Sequence, residues 1–382
     1  MARETDVVIV GAGAAGLATA ACLKRLGVAS EVLEASEQAG HSWAAAYDAL
    51  HLHTVRRYSS LPGWPMPRRY PRYAARDQVV AYLEAYATHF GIAPRYGQRV
   101  TRAEPTGEGG WRVTTQAGEE WVARVLVAAS GVVANPVTAA YPGMDEYGGK
   151  LLHSREYRNA APFAGQRVLV VGAGNSGAEI AVDLLEGGAA VTVAIRVGVN
   201  AVPLSLLGVP IQYWALLVAK LPPSVTRVVT KALLRRSEAR LKAAGMPKSP
   251  EPILQAHGIP IIGLRLLEAA RAGKIKITGA IERFEPDGVA FKDGTRQPFD
   301  AVIMATGYRP ALGYLDGLVT LDERGFPARD MVTSLDQPSL FFVGFNYGLA
   351  GTLNIIRREA PIAAQRIAAL LRSSAPAVAS RA

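Results

Sequence analysis

The feature that most restricts the fold of this chain is a glycine-rich fingerprint that occurs twice, GAGAAG at 11–16 and GAGNSG at 172–177. Both copies have the same surroundings. The first follows the apolar run Val7–Val10 and precedes an alanine- and leucine-rich stretch through about Leu26; the second follows Val168–Val171 and precedes Ala178–Leu185. A continuous apolar run predicts a strand buried on both faces, and the helical pattern beyond the turn completes a strand–turn–helix unit. The glycines have separate tasks: Gly11 and Gly172 permit the tight turn, Gly13 and Gly174 admit a pyrophosphate to the backbone, and Gly16 and Gly177 allow close helix–strand packing. Amides at the helix start, where the second copy places Asn175 and Ser176, and the positive end of the helix then hold the diphosphate. The prediction is an α/β chain with two nested Rossmann-like dinucleotide-binding domains.

The residue that ends the second strand of each unit separates the two sites. After the first fingerprint a strand near Glu31–Leu33 ends in Glu34, about 20 residues on, where a carboxylate accepts hydrogen bonds from both ribose hydroxyls. Such a carboxylate repels a 2′-phosphate, so this site reads as one for FAD or NAD. After the second, the strand Ala190–Ile195 ends in Arg196 with no acid in the corresponding place. A guanidinium there pairs with a 2′-phosphate, and the site reads as one for NADP.

The rest of the chain fits this frame. Strands are expected at Trp111–Thr115, Trp121–Ala128, Ile275–Ile277 and Val289–Phe291, and Asp300–Ala305 leads into ATG at 305–307, where Thr306 and Gly307 bring backbone near a nucleotide. Gly131 to Pro142 reads as an irregular connection, and Leu353 to Leu371 as an amphipathic C-terminal helix opened by Thr352.

Composition excludes several functions. One cysteine, Cys22, rules out a disulfide framework, a thiolate zinc site and a CxxC redox pair within one chain, and fits a reducing cytoplasm. His41, His51, His53, His89 and His257 lack metal-ligand spacing, so no metal is expected and these read as solvated or satisfied histidines. The net charge of +10 is scattered. Its densest cluster, Lys231 to Lys242, has no interleaved aromatics, which argues against nucleic acid and leaves attraction to acidic ligands or weak association with an anionic membrane surface. The apolar stretch Val199 to Leu221 is broken by Pro203, Gly208, Pro210, Gln212 and Lys220, so no spanning helix is expected; nor does the N-terminus carry a secretory signal pattern.

The segment YGGKLLHSREY (147–157) resembles the FxGxxxHxxxY/F motif of flavin-containing monooxygenases, with Tyr147 for the usual Phe, then Gly149, His153 and Tyr157. Baeyer–Villiger enzymes end that motif with Trp followed by Pro or Asp, whereas here Arg158 follows Tyr157. YDALHLHT (47–54), LPGWPMPRRYPRY (61–73), VVGAGNSGAEIAVDLL (170–185), ATGYRP (305–310) and FFVGFNYGLAGTL (341–353) extend the similarity, which is closest to the YUCCA-like branch.

This resemblance implies FAD at Gly11, Gly13, Gly16 and Glu34, with Trp43, Gly344 and Thr352 beside the flavin. It implies NADPH at Gly172, Gly174, Asn175, Ser176, Gly177 and Arg196, with Thr306 and Gly307 at the domain junction. In the family the motif histidine, here His153, links the nucleotide units and contacts NADP; an acid–base role for it is the weaker reading. The family asparagine placed near the flavin C4a edge is not evident around His53–Ser60. The implied domains are 1–159 for FAD, 160–295 for NADPH with a helical insert at about 200–258, and 296–382 returning to the FAD domain. The implied activity is NADPH- and O2-dependent oxygenation of a small molecule through a C4a-(hydro)peroxyflavin, including decarboxylation of an aryl 2-oxo acid, with Tyr213 and Trp214 as a candidate wall for the ring. The chemistry would then be carried by the cofactor rather than by a protein nucleophile. N- or S-oxygenation, an NADPH-dependent quinone or electron-carrier reductase, and a non-enzymatic nucleotide sensor are the competing readings.

Overall fold

The computed structural model describes residues 2–107, 109–218, 221–222, 235–250, 260–346 and 351–373. The chain forms two compact units, one of residues 1–45, 55–135 and 308–382, the other of residues 46–54 and 136–307.

The first unit is built on an 8-stranded sheet. Four strands run parallel in the order Ser30–Leu33, Arg3–Val10, Glu120–Ala128 and Leu340–Phe342; antiparallel Thr333–Ser334 and Arg329–Asp330 continue the sheet beyond Leu340–Phe342, and antiparallel Trp111–Thr115 and Val100–Pro105 branch from Glu120–Ala128. Val7 to Val10 form the buried half of their strand because both faces of the sheet are covered. Val8 and Val10 join a core with Trp111, Trp121, Leu126 and Phe342. Towards the opposite face lies helix Ala14–Arg25, whose Gly16 faces Ile9. The C-terminal helix Thr352–Ser373 packs against it. Three expected elements, Trp111–Thr115, the strand ending at Ala128 and the helix opened by Thr352, occupy those places.

The second unit holds a parallel 5-stranded sheet in the order Lys276–Thr278, Ala190–Ala194, Arg167–Val171, Ala301–Met304 and Lys150–His153. Alternate residues serve different cores, as a period of two requires. Val168 and Val170 pack with Ile180, Leu184 and Ile303, and Leu169 and Val171 pack with Phe284, Phe291 and Val302. The expected boundaries at 159/160 and 295/296 both fall inside this unit. Lys150–His153 and Ala301–Met304 pair with each other, and the latter with Arg167–Val171, so both belong to this sheet.

Within the apolar stretch from Val199, the chain makes a short antiparallel pair, Ser205–Leu206 with Val209–Pro210, and a helix, Ile211–Val218. Among the described residues no helix is long and apolar enough to cross a membrane. Lys231, His257 and much of the insert expected at 200–258 lie outside the described residues.

Candidate functional site: two glycine-lined helix starts

Each fingerprint bridges a strand and the helix after it. Gly11 has φ +109°, a conformation that strains any residue with a Cβ, and such a Cβ would stand 2.6 Å from the Ala129 carbonyl oxygen. Gly16 is just as constrained, since a Cβ there would meet the Gly11 carbonyl oxygen at 1.8 Å. Gly13 differs. It caps the helix in an extended conformation (φ −76°), with no side-chain hydrogen bond to the first-turn amides and no atom within 4 Å of where a Cβ would be. This open glycine at a helix start without a side-chain cap is the space and the donor set that a diphosphate requires.

Glu34 stands directly behind the loop. One carboxylate oxygen accepts from the Ala12 amide at 2.6 Å, the other from the Ser36 amide at 2.9 Å and its hydroxyl at 2.8 Å. The carboxylate is therefore fixed in orientation by protein donors. Gly40 donates to the Ala12 carbonyl at 3.0 Å, which holds the short helix His41–Ala44, and with it half-buried Trp43, against the same loop. Gly344 is also close: a Cβ there would lie 3.0 Å from the Cβ of Ala15. Thr352 is the first residue of the C-terminal helix, half-buried; Gly348, just upstream, lies outside the described residues.

The second fingerprint repeats the geometry. Gly172 has φ +100° and approaches the Ala305 carbonyl, Gly177 approaches the Gly172 carbonyl, and Gly174 caps helix Asn175–Glu186 with open space around it. The strand after the helix ends at Ala194, two residues before Arg196. Arg196 is exposed and has no hydrogen-bond or ion-pair partner among the described residues. Asn175 is partly spent, because its carbonyl oxygen accepts from the Ile262 amide at 2.8 Å. Ser176 is half-buried at the helix start. Thr306 and Gly307 hold the connection before them in place: the Thr306 hydroxyl donates to the Val137 carbonyl, and the Val137 amide donates to the Gly307 carbonyl at 3.0 Å.

The 147–157 segment is structural in the second unit. The ring of Tyr147 lies across Gly149, where a Cβ would come within 2.3 Å of the Tyr147 hydroxyl oxygen, and that hydroxyl donates to the Phe299 carbonyl at 2.9 Å. Burial pushes the Tyr147 phenol up to about 12. Tyr157 is fully buried, stacks on Phe163 and donates to the Asp183 carboxylate at 2.5 Å, clamping helix Asn175–Glu186. His153 is buried and accepts from the Arg155 amide through Nδ1 at 3.1 Å. Burial lowers its pKa, against the opposing pull of the Gly307 backbone.

One cluster was not legible beforehand. Glu179, one turn into helix Asn175–Glu186, takes His53 Nε2 at 2.6 Å on one oxygen and the Tyr47 hydroxyl on the other. The presence of Tyr47 and His53 together in YDALHLHT was the only sequence signal. His51 bonds the Ala49 carbonyl through Nδ1 at 2.8 Å, and His89 stacks on Trp64 with ring centres 4.8 Å apart. Tyr213 is partly exposed and Trp214 donates to the Leu206 carbonyl at 3.2 Å. Burial pushes the Cys22 thiol up to about 11, so this cysteine is an inert packing residue.

Comparison with known proteins agrees with this geometry. The Flavin-binding monooxygenase-like family model matches residues 4–372. Indole-3-pyruvate monooxygenase YUCCA1 of Oryza sativa subsp. japonica is 40% identical over 319 residues, covering 80% of this chain and 78% of that protein. Probable indole-3-pyruvate monooxygenase YUCCA1 of Arabidopsis thaliana is 34% identical over 358 residues, covering 90% and 86%. Among solved structures, the flavin-containing monooxygenase from Stenotrophomonas maltophilia superposes with a TM-score of 0.76 at 29% identity, over 97% of this chain and 99% of that one. With a family match over nearly its whole length and two Rossmann-like glycine turns of the required shape, the chain belongs to the flavin-binding monooxygenase-like family and is an oxidoreductase, a flavoprotein monooxygenase.

Proposed function

We propose that FAD occupies the first fingerprint and NADPH the second, and that the protein oxidatively decarboxylates an aryl 2-oxo acid. The observation that carries the cofactor assignment is the difference behind two otherwise matching loops: a fixed carboxylate, Glu34, behind the first, and an exposed guanidinium, Arg196, with no partner among the described residues, beyond the second. Trp43, Gly344 and Thr352 would line the flavin, and Asn175, Ser176, Thr306 and Gly307 the nicotinamide nucleotide. The substrate class is supported by the rice and Arabidopsis relatives, which are named for indole-3-pyruvate.

When bound, NADPH supplies the hydride and FAD the electron transfer that activates O2. The residues of the chain bind and orient. Open space at Gly13 and Gly174 receives each diphosphate at a helix start, and Glu34 accepts from ribose hydroxyls with a geometry already set by Ala12 and Ser36. Arg196 pairs with the 2′-phosphate. His153, buried and accepting from the Arg155 amide, orients the 147–157 segment. In the net reaction the 2-oxo acid loses CO2 and gains one oxygen atom from O2 while the other leaves as water, with one NADPH and one proton consumed. The basic balance of the chain, +10, favours an anionic substrate.

The test is a substrate panel scored by product mass. Indole-3-pyruvate and phenylpyruvate are expected to yield acids one carbon shorter, with one 18O atom from 18O2. Amines and sulfides oxidised in preference, with no shortened acid, would overturn the substrate class and leave the family unchanged.

A further inference from the structure

The first unit contains a buried polar cluster that none of the assignments above uses. Gly344 leaves the parallel sheet just beyond strand Leu340–Phe342, at the same edge where Gly11 leaves its strand, and ligands of open α/β sheets bind outside that edge. The turn Gly344–Asn346 starts in a left-handed conformation, φ +85°, and is pressed against Ala15 in the first turn of the fingerprint helix.

The cluster converges on this turn. Glu359, only 4% exposed, accepts from the Gly344 amide at 2.8 Å through Oε2 and from the Asn346 side-chain amide through Oε1. Arg329 Nη2 donates to the Phe345 carbonyl at 2.9 Å and to the Asn346 side-chain oxygen at 2.6 Å. All three residues of the turn are thus held by two charged side chains that come from other parts of the sequence. Burying a carboxylate is costly unless donors satisfy it, and packing alone would be better served by an apolar residue. The expenditure makes sense where a backbone turn must be held to a fraction of an ångström, as the wall of a ligand site is.

We propose that Glu359, with Arg329 and Asn346, is a positioning residue that holds the Gly344–Asn346 turn as a wall of the FAD site. This rests on the reading of the first fingerprint as that site. The hydrogen-bond order makes the claim testable, because two donors converge on Glu359 and only a carboxylate accepts both. In Glu359→Gln one acceptor remains and an N–H is turned against either Gly344 or Asn346. In the double variant Glu359→Gln/Asn346→Asp the order is restored: the amide introduced at 359 donates to the carboxylate introduced at 346, its oxygen accepts from Gly344, and Arg329 keeps an acceptor.

Apoprotein is titrated with FAD by fluorescence, and the rise in melting temperature on FAD addition is recorded beside far-UV circular dichroism. Glu359→Gln is expected to fold as apoprotein, bind FAD about tenfold or more weakly, and show a smaller FAD-induced rise. The double variant should return to within about threefold of the parent. Gly13→Val, which places its side chain in open space and blocks the diphosphate, is the control and should not bind FAD. Parent-like affinity in Glu359→Gln with loss in Gly13→Val would overturn the positioning role and spare the site. Retention of FAD by Gly13→Val would overturn the site and the role together. If Glu359→Gln does not refold, Asn346→Ala takes its place; Asn346 is half-buried, its truncation should weaken FAD binding, and parent-like affinity there would also overturn the role.

Discussion

Gly13 and Gly16 stand three residues apart in one fingerprint and respond to substitution in opposite ways. A side chain at Gly13 meets nothing within 4 Å, whereas a Cβ at Gly16 meets the Gly11 carbonyl oxygen at 1.8 Å. Gly13→Val should leave the apoprotein within ~1 kcal/mol of the parent and abolish FAD binding, while Gly16→Ala should cost about 1–3 kcal/mol or more of folding stability, both read by urea unfolding of apoprotein. Arg196 gives the matching experiment at the other loop. An exposed guanidinium with no protein partner among the described residues is free to take a phosphate, and a charge-assisted pair contributes ~1.5–3 kcal/mol. Arg196→Ala should raise KM for NADPH by roughly 10- to 150-fold and leave NADH nearly unchanged. Equal loss with both would make it a structural residue.

At the scale of elements, helix Asn175–Glu186 does two jobs. In the proposed function its start offers amides to a phosphate, and its body is held by Tyr157 through Asp183 and by Tyr47 and His53 through Glu179. Tyr157→Phe should cost about 1–3 kcal/mol by leaving a carboxylate without its donor, measured by chemical unfolding, and should not change the NADPH/NADH preference. A changed preference with unchanged stability would mean that Tyr157 acts on the ligand instead. Strands and helices were legible in the sequence wherever an apolar run was continuous, as at Val7–Val10 and Val168–Val171. Where the run was interrupted, as from Val199 onward, the pattern excluded a spanning helix but gave no hint of the Ser205–Pro210 pair. Pairing of two-residue strands depends on turn geometry rather than on periodicity.

For the whole molecule, the relevant property is charge. A net +10 would attract NADPH and the proposed 2-oxo acid, both anionic, and salt screens such attraction over about 8–10 Å at physiological ionic strength. Raising salt from about 50 to about 300 mM should lower kcat/KM for an arylpyruvate more than kcat, and an uncharged arylpyruvate ester should lose the salt dependence. Salt-independent kcat/KM would show that the charge serves neither ligand.

The two nucleotide units, their order and the charge that distinguishes them follow from the sequence alone. Gly16 and Gly177 are constrained by the carbonyls of Gly11 and Gly172 five residues back, and the acid or base ending the second strand lies at a near-constant distance along the chain. What the tertiary structure decided are pairings across long separations: Lys150–His153 joining the sheet of Ala301–Met304, which carries the unit boundaries to 135/136 and 307/308; Glu179 gathering Tyr47 and His53; Asn175 and Thr306 partly spent on backbone; and Glu359 reaching back to Gly344. A buried carboxylate must find donors, but its own sequence neighbourhood does not name them, because partners are chosen by which surfaces the packed elements bring together.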